Sequence, residues 1–156
     1  MDPTLRLISV VRSESTAERL RTSGVQVVVG LDGATRAVRE RVGLVDVAVD
    51  FSGATAAPRA GARMLAPGGR LVLGSVDDHP LDLGLTMSAV MTRELEILGI
   101  YSSTIEDLRS ATELVRCGAI DLSASASLLF GLDDVPAALG AVKERPNGLV
   151  RAVVRP

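Results

Sequence analysis

The chain predicts an α/β fold with helices packed on a mainly parallel sheet, and three observations carry that expectation. Apolar runs of strand length alternate with segments of helical period along nearly the whole sequence. Glycines, alone or beside proline, stand at most of the changeovers. One stretch, Val45 to Val76, holds a complete unit. Its valines alternate through Val45–Asp50, Ser52-Gly53 break the strand, and a run from Ala54 leads through Met64 to a turn at Pro67-Gly68-Gly69. A second apolar run, Leu71-Val72-Leu73, then ends at Gly74. Strand, helix, turn and strand in that order make a right-handed parallel crossover.

The other elements follow in order. Leu5–Val11 is a strand with β-branched residues at Ile8, Val10 and Val11, and Ser15-Thr16-Ala17-Glu18 reads as a capping box for a helix that stops at Gly24. Val25–Val29 is the next strand, and Ala34–Val42 a helix closed by Gly43. Beyond the central unit, Thr86–Thr92 is a short helix and Leu95–Tyr101 a strand. Ser103-Thr104-Ile105-Glu106 reads as a second capping box, opening a helix with Ile105, Leu108, Thr112 and Val115 on one face. Ala124–Phe130 is a strand, Asp133 caps a helix with Val135, Leu139 and Val142 inward, and Leu149–Val154 is the last strand.

The totals exclude several classes of function. The chain has 156 residues, 47% of them apolar and 23% charged, which suits a folded domain rather than disorder. A formal charge of −2 without a basic cluster argues against nucleic acid. No apolar run approaches the roughly 20 residues of a membrane span, and no basic region leads into a signal core, so a cytoplasmic location is expected. A single cysteine, Cys117, and a single histidine, His79, can form neither a disulfide nor a Cys/His zinc cage. His79 lies in the polar turn Asp77-Asp78-His79-Pro80, where a structural role is expected, and Cys117 is expected as a small core residue.

Two glycine motifs need weighing. Gly30-x-x-Gly33 follows a strand and opens a helix, but a dinucleotide fingerprint needs closer glycines for the backbone to approach a pyrophosphate, so it reads as a turn and a helix start. Pro67-Gly68-Gly69-Arg70 before a buried strand occurs in S-adenosylmethionine-dependent methyltransferases and in dehydrogenases alike, and does not choose between them.

The tail chooses. Leu81-Asp82-Leu83, Arg93-Glu94-Leu95-Glu96-Ile97-Leu98-Gly99, Asp107 to Val115, Gly118-Ala119-Ile120, Leu132 to Leu139 and Val150 to Val154 together resemble the medium-chain, zinc-type NAD(P)-dependent alcohol dehydrogenases. The succession runs from Leu5 to Pro156 and resembles the C-terminal part of that family. The resemblance implies an incomplete Rossmann-like coenzyme-binding domain over residues 1–101, lacking its first, glycine-rich strand. Residues 102–156 would be a return segment of the catalytic domain, a small strand–helix–strand tail.

It also implies a coenzyme site. Arg12 and Ser13 stand where an acidic residue meets the ribose in NAD enzymes, and a cation with a hydroxyl suits a 2′-phosphate, so NADP is favoured over NAD. Phe51, Ser52 and Gly53 match the segment lining the coenzyme crevice, and Leu73, Gly74 and Ser75 the one beside the nicotinamide. Ile100 and Tyr101 match the segment meeting the carboxamide, and Arg151 an arginine that reaches the pyrophosphate. Ser103 and Ile105 depart from the pattern, standing where a glycine and an arginine are frequent. Zinc serves the family's reaction, hydride transfer between an alcohol or aldehyde and NAD(P), but its ligands belong to a domain this chain lacks. No catalytic residue is assigned, and the chain alone is expected to be inactive.

A homodimer through Leu95–Tyr101 is implied as well. The competing readings are a non-catalytic dimerisation or nucleotide-binding module and a methyltransferase fragment, the latter disfavoured by the tail. Met1 stands where the family has a turn, so a G-x-G-x-x-G is expected about 20 residues upstream. Finally, the family's strand order 3-2-1-4-5-6 loses its central member here. The flanking strands, Leu5–Val11 and Val45–Asp50, must leave a slot about 9–10 Å wide or close up to about 4.8 Å. Buried unpaired groups cost about 1–3 kcal/mol each, so closure is expected.

Overall fold

The computed structural model describes residues 5–76, 78–122, 128–144 and 151–155. They form two compact units divided between Tyr101 and Ser102. In the first, β1 (Ile8–Val11), α1 (Glu14–Thr22), β2 (Gln26–Val29), α2 (Ala34–Val42), β3 (Val45–Asp50), α3 (Ala57–Met64), β4 (Leu65–Leu73), α4 (Met87–Thr92) and β5 (Glu96–Gly99) follow in order. Every strand pairing is parallel: β1 with β2 in one sheet, and β3-β4-β5 in another. The second unit holds α5 (Ile105–Arg116), β6 (Leu128–Gly131), a 3-10 turn at Leu132–Asp134, α6 (Val135–Glu144) and β7 (Ala152–Arg155), with β6 and β7 parallel. This is the expected Rossmann-like α/β arrangement.

The central unit is built as its sequence dictates. Leu65 and Leu71 are fully buried, in one cluster with Leu95 and with Ala62 of the covering helix α3. Gly61 makes that cover close: a Cβ there would stand 2.9 Å from Leu71 Cδ1 and 3.6 Å from the Ala48 Cβ. The Pro67-Gly68-Gly69 turn does not precede the strand but interrupts its ladder, since Val45 pairs with Leu65 while Val47 already pairs with Arg70. Such a bulge needs glycine, because a Cβ on Gly69 would meet the Ala66 carbonyl oxygen at 2.7 Å.

Several expectations are corrected. Strands β1 and β3 do not pair, so closure does not occur; among the described residues β1 has β2 as its strand partner and β3 has β4. Two physical reasons are visible. Ile8 of β1 and Val45 of β3 both pack against one cluster, Val28, Ala34, Val38 and Met64, so helices position both strands without a ladder between them. Val47 and Val49 are also more than half exposed, so the full penalty of dry, unpaired groups is not incurred.

Both helix starts lie off the predicted capping boxes. Ser13, not Ser15, caps α1, its Oγ accepting from the Thr16 N–H at 3.3 Å. The second box is real but one residue later: Asp107 N–H donates to Thr104 Oγ1 at 3.1 Å, and Thr104 N–H to Asp107 Oδ2 at 2.8 Å. Serines and threonines repeat at both sites, so the box pattern fits more than one frame. On α6 the inward face differs from the expected one: Ala138 is buried and Val135 half-buried, whereas Leu139 and Val142 are exposed. Cys117 is exposed rather than core, as the cap residue of α5 with its thiol toward the Leu114 carbonyl. Residues 124–127 and 149–150 of the two predicted tail strands lie outside the described residues.

Replacing Leu71 with Ala should cost about 2–5 kcal/mol, because α3 is held too near to collapse into the void. Val47→Ala, at an exposed site, should change stability by about 0.5 kcal/mol or less. Urea denaturation measures both, and equal effects would contradict the core assigned here.

Candidate functional site

The C-terminal ends of β3, β4 and β5 are tied together beyond the strands themselves. Gly74 N–H donates to the Asp50 carbonyl at 2.9 Å, and Ile100 N–H to the Leu73 carbonyl at 2.9 Å. Residues 51–53, 73–75 and 100 therefore leave the sheet side by side. A cleft of about 180 Å³ opens there, lined by Gly53, Leu73 and Ser75 with Asp50, Thr55, His79 and Asp82.

Each wall has a physical cause. Asp50 is 8% exposed and would be costly without partners. Its Oδ1 accepts from the Ser52 N–H at 2.8 Å and the Ser52 hydroxyl at 2.6 Å. The Ser52 oxygen in turn accepts from the Ala54 N–H at 3.2 Å, which curls the chain toward α3. Gly53 continues this turn at φ 65°, in the left-handed region that favours glycine. The Phe51 ring lies across Gly74, where any Cβ would overlap it, and its remaining surface is exposed. On the far side Arg59 of α3 pairs with Asp82, which also accepts from the Gly84 N–H at 2.8 Å. The guanidinium first, and then that N–H, hold the Asp82 carboxyl below its ordinary 3.8.

Of the sequence-predicted residues, the structure brings Phe51, Ser52, Gly53, Leu73, Gly74 and Ser75 together, with Ile100 at the next strand end. Tyr101 is 89% exposed at the end of the first unit. Arg12 is exposed just past β1, and Ser13 is engaged as the α1 cap. Arg151 stands in the second unit, immediately before β7. Sequence reasoning missed Asp50, Thr55 and Asp82 and treated His79 only as a turn residue. Asp50 alone carried a signal, an acid closing a strand of valines just before the Ser-Gly break.

Among the described residues, no group of three or more His, Cys, Asp or Glu side chains is placed to hold a metal ion. The donors among those residues therefore do not fit a zinc centre. No helix among the described residues is long and apolar enough to cross a membrane.

Comparison with known proteins gives a consistent result. Residues 4–116 match the family described as zinc-binding dehydrogenase. AibC is 30% identical at a TM-score of 0.80, over 97% of this chain and 42% of its own. A zinc-binding dehydrogenase of Sinorhizobium meliloti 1021, bound to NADP, is 26% identical at 0.78, over 96% and 44%. The 2R,3R-butanediol dehydrogenase of Bacillus subtilis shares the fold at 0.82 with 20% identity, over 96% and 43%. The chain thus spans less than half the length of these structures. No curated protein matches.

Asp50→Ala should destabilise the chain by about 1–3 kcal/mol, because the Ser52 N–H and hydroxyl lose their acceptor at the edge of the core. Asp50→Asn, which keeps Oδ1, should cost less. A denaturation midpoint unchanged in Asp50→Ala would show that this turn does not depend on the carboxylate.

Proposed function

This chain belongs to the zinc-binding dehydrogenase family, and from that premise we propose that it is the nicotinamide-dinucleotide-binding part of an oxidoreductase. The observation that carries the reading is the meeting of residues 51–53 and 73–75 at the carboxyl ends of adjacent parallel strands. Ligands of open α/β sheets bind at such ends. The cleft there is smaller than a whole dinucleotide and suits one end of it. Ser75, Thr55 and His79, with the carboxylates of Asp50 and Asp82, supply polar edges beside Leu73, and Gly53 brings the backbone to the cleft without a side chain. The coenzyme, when bound, supplies the hydride acceptor or donor. The chain's own residues bind and orient it: Phe51 and Leu73 by apolar contact, and Ile100 and Tyr101 from the next strand end.

On the same reading NADP is preferred to NAD. Arg12 is exposed at the end of β1 beside the Ser13 cap, so its guanidinium is available to a 2′-phosphate. The NADP bound to the Sinorhizobium meliloti relative supports this choice. The substrate of the whole oxidoreductase is an alcohol or aldehyde, and on this reading the chain alone binds coenzyme without turning that substrate over. A cytoplasmic location accords with this role.

Titration of the chain with NADPH and NADH, followed by coenzyme fluorescence and with S-adenosylmethionine as comparison, tests the proposal. NADPH should bind more tightly than NADH, and Arg12→Ala should weaken NADPH about tenfold, the equivalent of about 1.4 kcal/mol, while leaving NADH unchanged. Absence of enhancement with either coenzyme would overturn the assignment, and saturable S-adenosylmethionine binding would move it to the methyltransferases.

The proposed dimer rests on β5, the terminal strand of its sheet, whose outer edge continues into half-exposed Leu98 and Ile100. Pairing with a second copy would satisfy that edge. Light scattering should give twice the monomer mass, and Ile97→Pro should return it to one; a monomer at high concentration would refute the interface.

A further inference from the structure

A second and larger cleft, about 650 Å³, opens between α2 and α3 and shares no lining residue with the first. Its walls are unusual in charge. Arg36 and Arg39 of α2, three residues apart, and Arg59 and Arg63 of α3, four apart, all face it. The carboxylates on the same walls are those of Asp32 and Glu40, so two positive charges are in excess on a chain whose formal net charge is −2. Half of the guanidinium charge is already committed. Glu40 takes Arg36 at 2.7 Å, and Arg59 turns away to Asp82. The side chains of Arg39 and Arg63 have no hydrogen-bond partner among the described residues, although they project into one cleft from opposite walls. Like charges converging in a concavity repel one another unless an anion lies between them.

A second feature points to the same chemistry. Gly33 caps α2 at φ 75° with no side chain to receive the first N–H groups, and it also lines the cleft. The first of them, on Ala34, donates to the Leu31 carbonyl at 3.1 Å, so what the cap leaves facing the cleft is the positive end of the helix. Helix α2 carries no acidic residue in its first turn to offset it.

We propose that this cleft binds a multiply charged phosphate, as pyrophosphate or a phosphate ester, gripped by Arg39 and Arg63. Guanidinium forks suit this ligand because each presents paired donors to two phosphate oxygens. The site does not depend on the coenzyme reading, since none of its residues belongs to the segments assigned to the dinucleotide.

The test is calorimetric titration of the full chain with inorganic pyrophosphate at constant ionic strength, against sodium chloride. Saturable binding is expected in the wild type, with a loss of at least tenfold in the double variant R39Q/R63Q. Affinity should fall to an intermediate level in R39K/R63K, which keeps the charge but not the paired donors, and should be unchanged in the control R109Q, whose site lies on α5. All these side chains are exposed, so circular dichroism should show an unchanged fold. Heat no greater than that of chloride, or equal affinity in R39Q/R63Q, would overturn the proposal. Complete displacement of pyrophosphate by NADPH would overturn it too, by placing the phosphate in the coenzyme's own site.

Discussion

Everything at the carboxyl end of the larger sheet depends on how closely α3 approaches β3 and β4. A parallel sheet must be covered by helices, because its crossovers leave no other way to remove both faces from water. Here the cover rests on Gly61, whose missing Cβ lets the helix settle onto Leu71 and Ala48, with Leu65 and the helix's own Ala62 fully buried. That contact sets the level of β4 against β3. The level carries outward, through the Gly74–Asp50 and Ile100–Leu73 hydrogen bonds, into the three loops that form the candidate site. The site is thus a continuation of the core's register, and its apolar and polar walls are placed by the ladder below them.

The smaller sheet obeys a different logic. Strands β1 and β2 pair with each other and reach the rest of the first unit through side chains rather than through backbone bonds. Ile8, Val28, Ala34, Val38 and Met64 form a core shared with Val45. An unpaired strand edge is costly only when it is dry, and the exposed valines of β3 show that this one is wet. Packing onto α2 and α3 therefore suffices to hold two sheets side by side. The same two helices carry the arginines of the larger cleft, so one pair of elements serves as core on one face and as a cationic surface on the other.

Misread elements share a cause. Capping depends on which of several adjacent hydroxyls reaches the first free N–H. In Arg12-Ser13-Glu14-Ser15-Thr16 and Ser102-Ser103-Thr104-Ile105 the choice is made by where the chain leaves the preceding segment. On α6 the apolar spacing of Val135, Leu139 and Val142 is present, yet Ala138 is the buried residue, because periodicity reports spacing but not which face lies inward. Cysteine is on average a small core residue, yet Cys117 falls at the cap of a helix with no buried residue.

What the amino-acid order determined by itself was everything set by neighbours along the chain. The alternation of strand and helix, the glycines that end them, and the family pattern in the tail need only local stereochemistry and period to be read. The segments 51–53 and 73–75 were legible as strand ends from the residues that break them, and as candidate site segments only through the family resemblance. Only the tertiary structure decided which strands share a sheet, that Asp50 is drawn into the rim of the site, and that four arginines from two helices face one cleft. Those outcomes turn on distances between residues far apart in the chain, fixed by side-chain volume and by the solvent left at each edge.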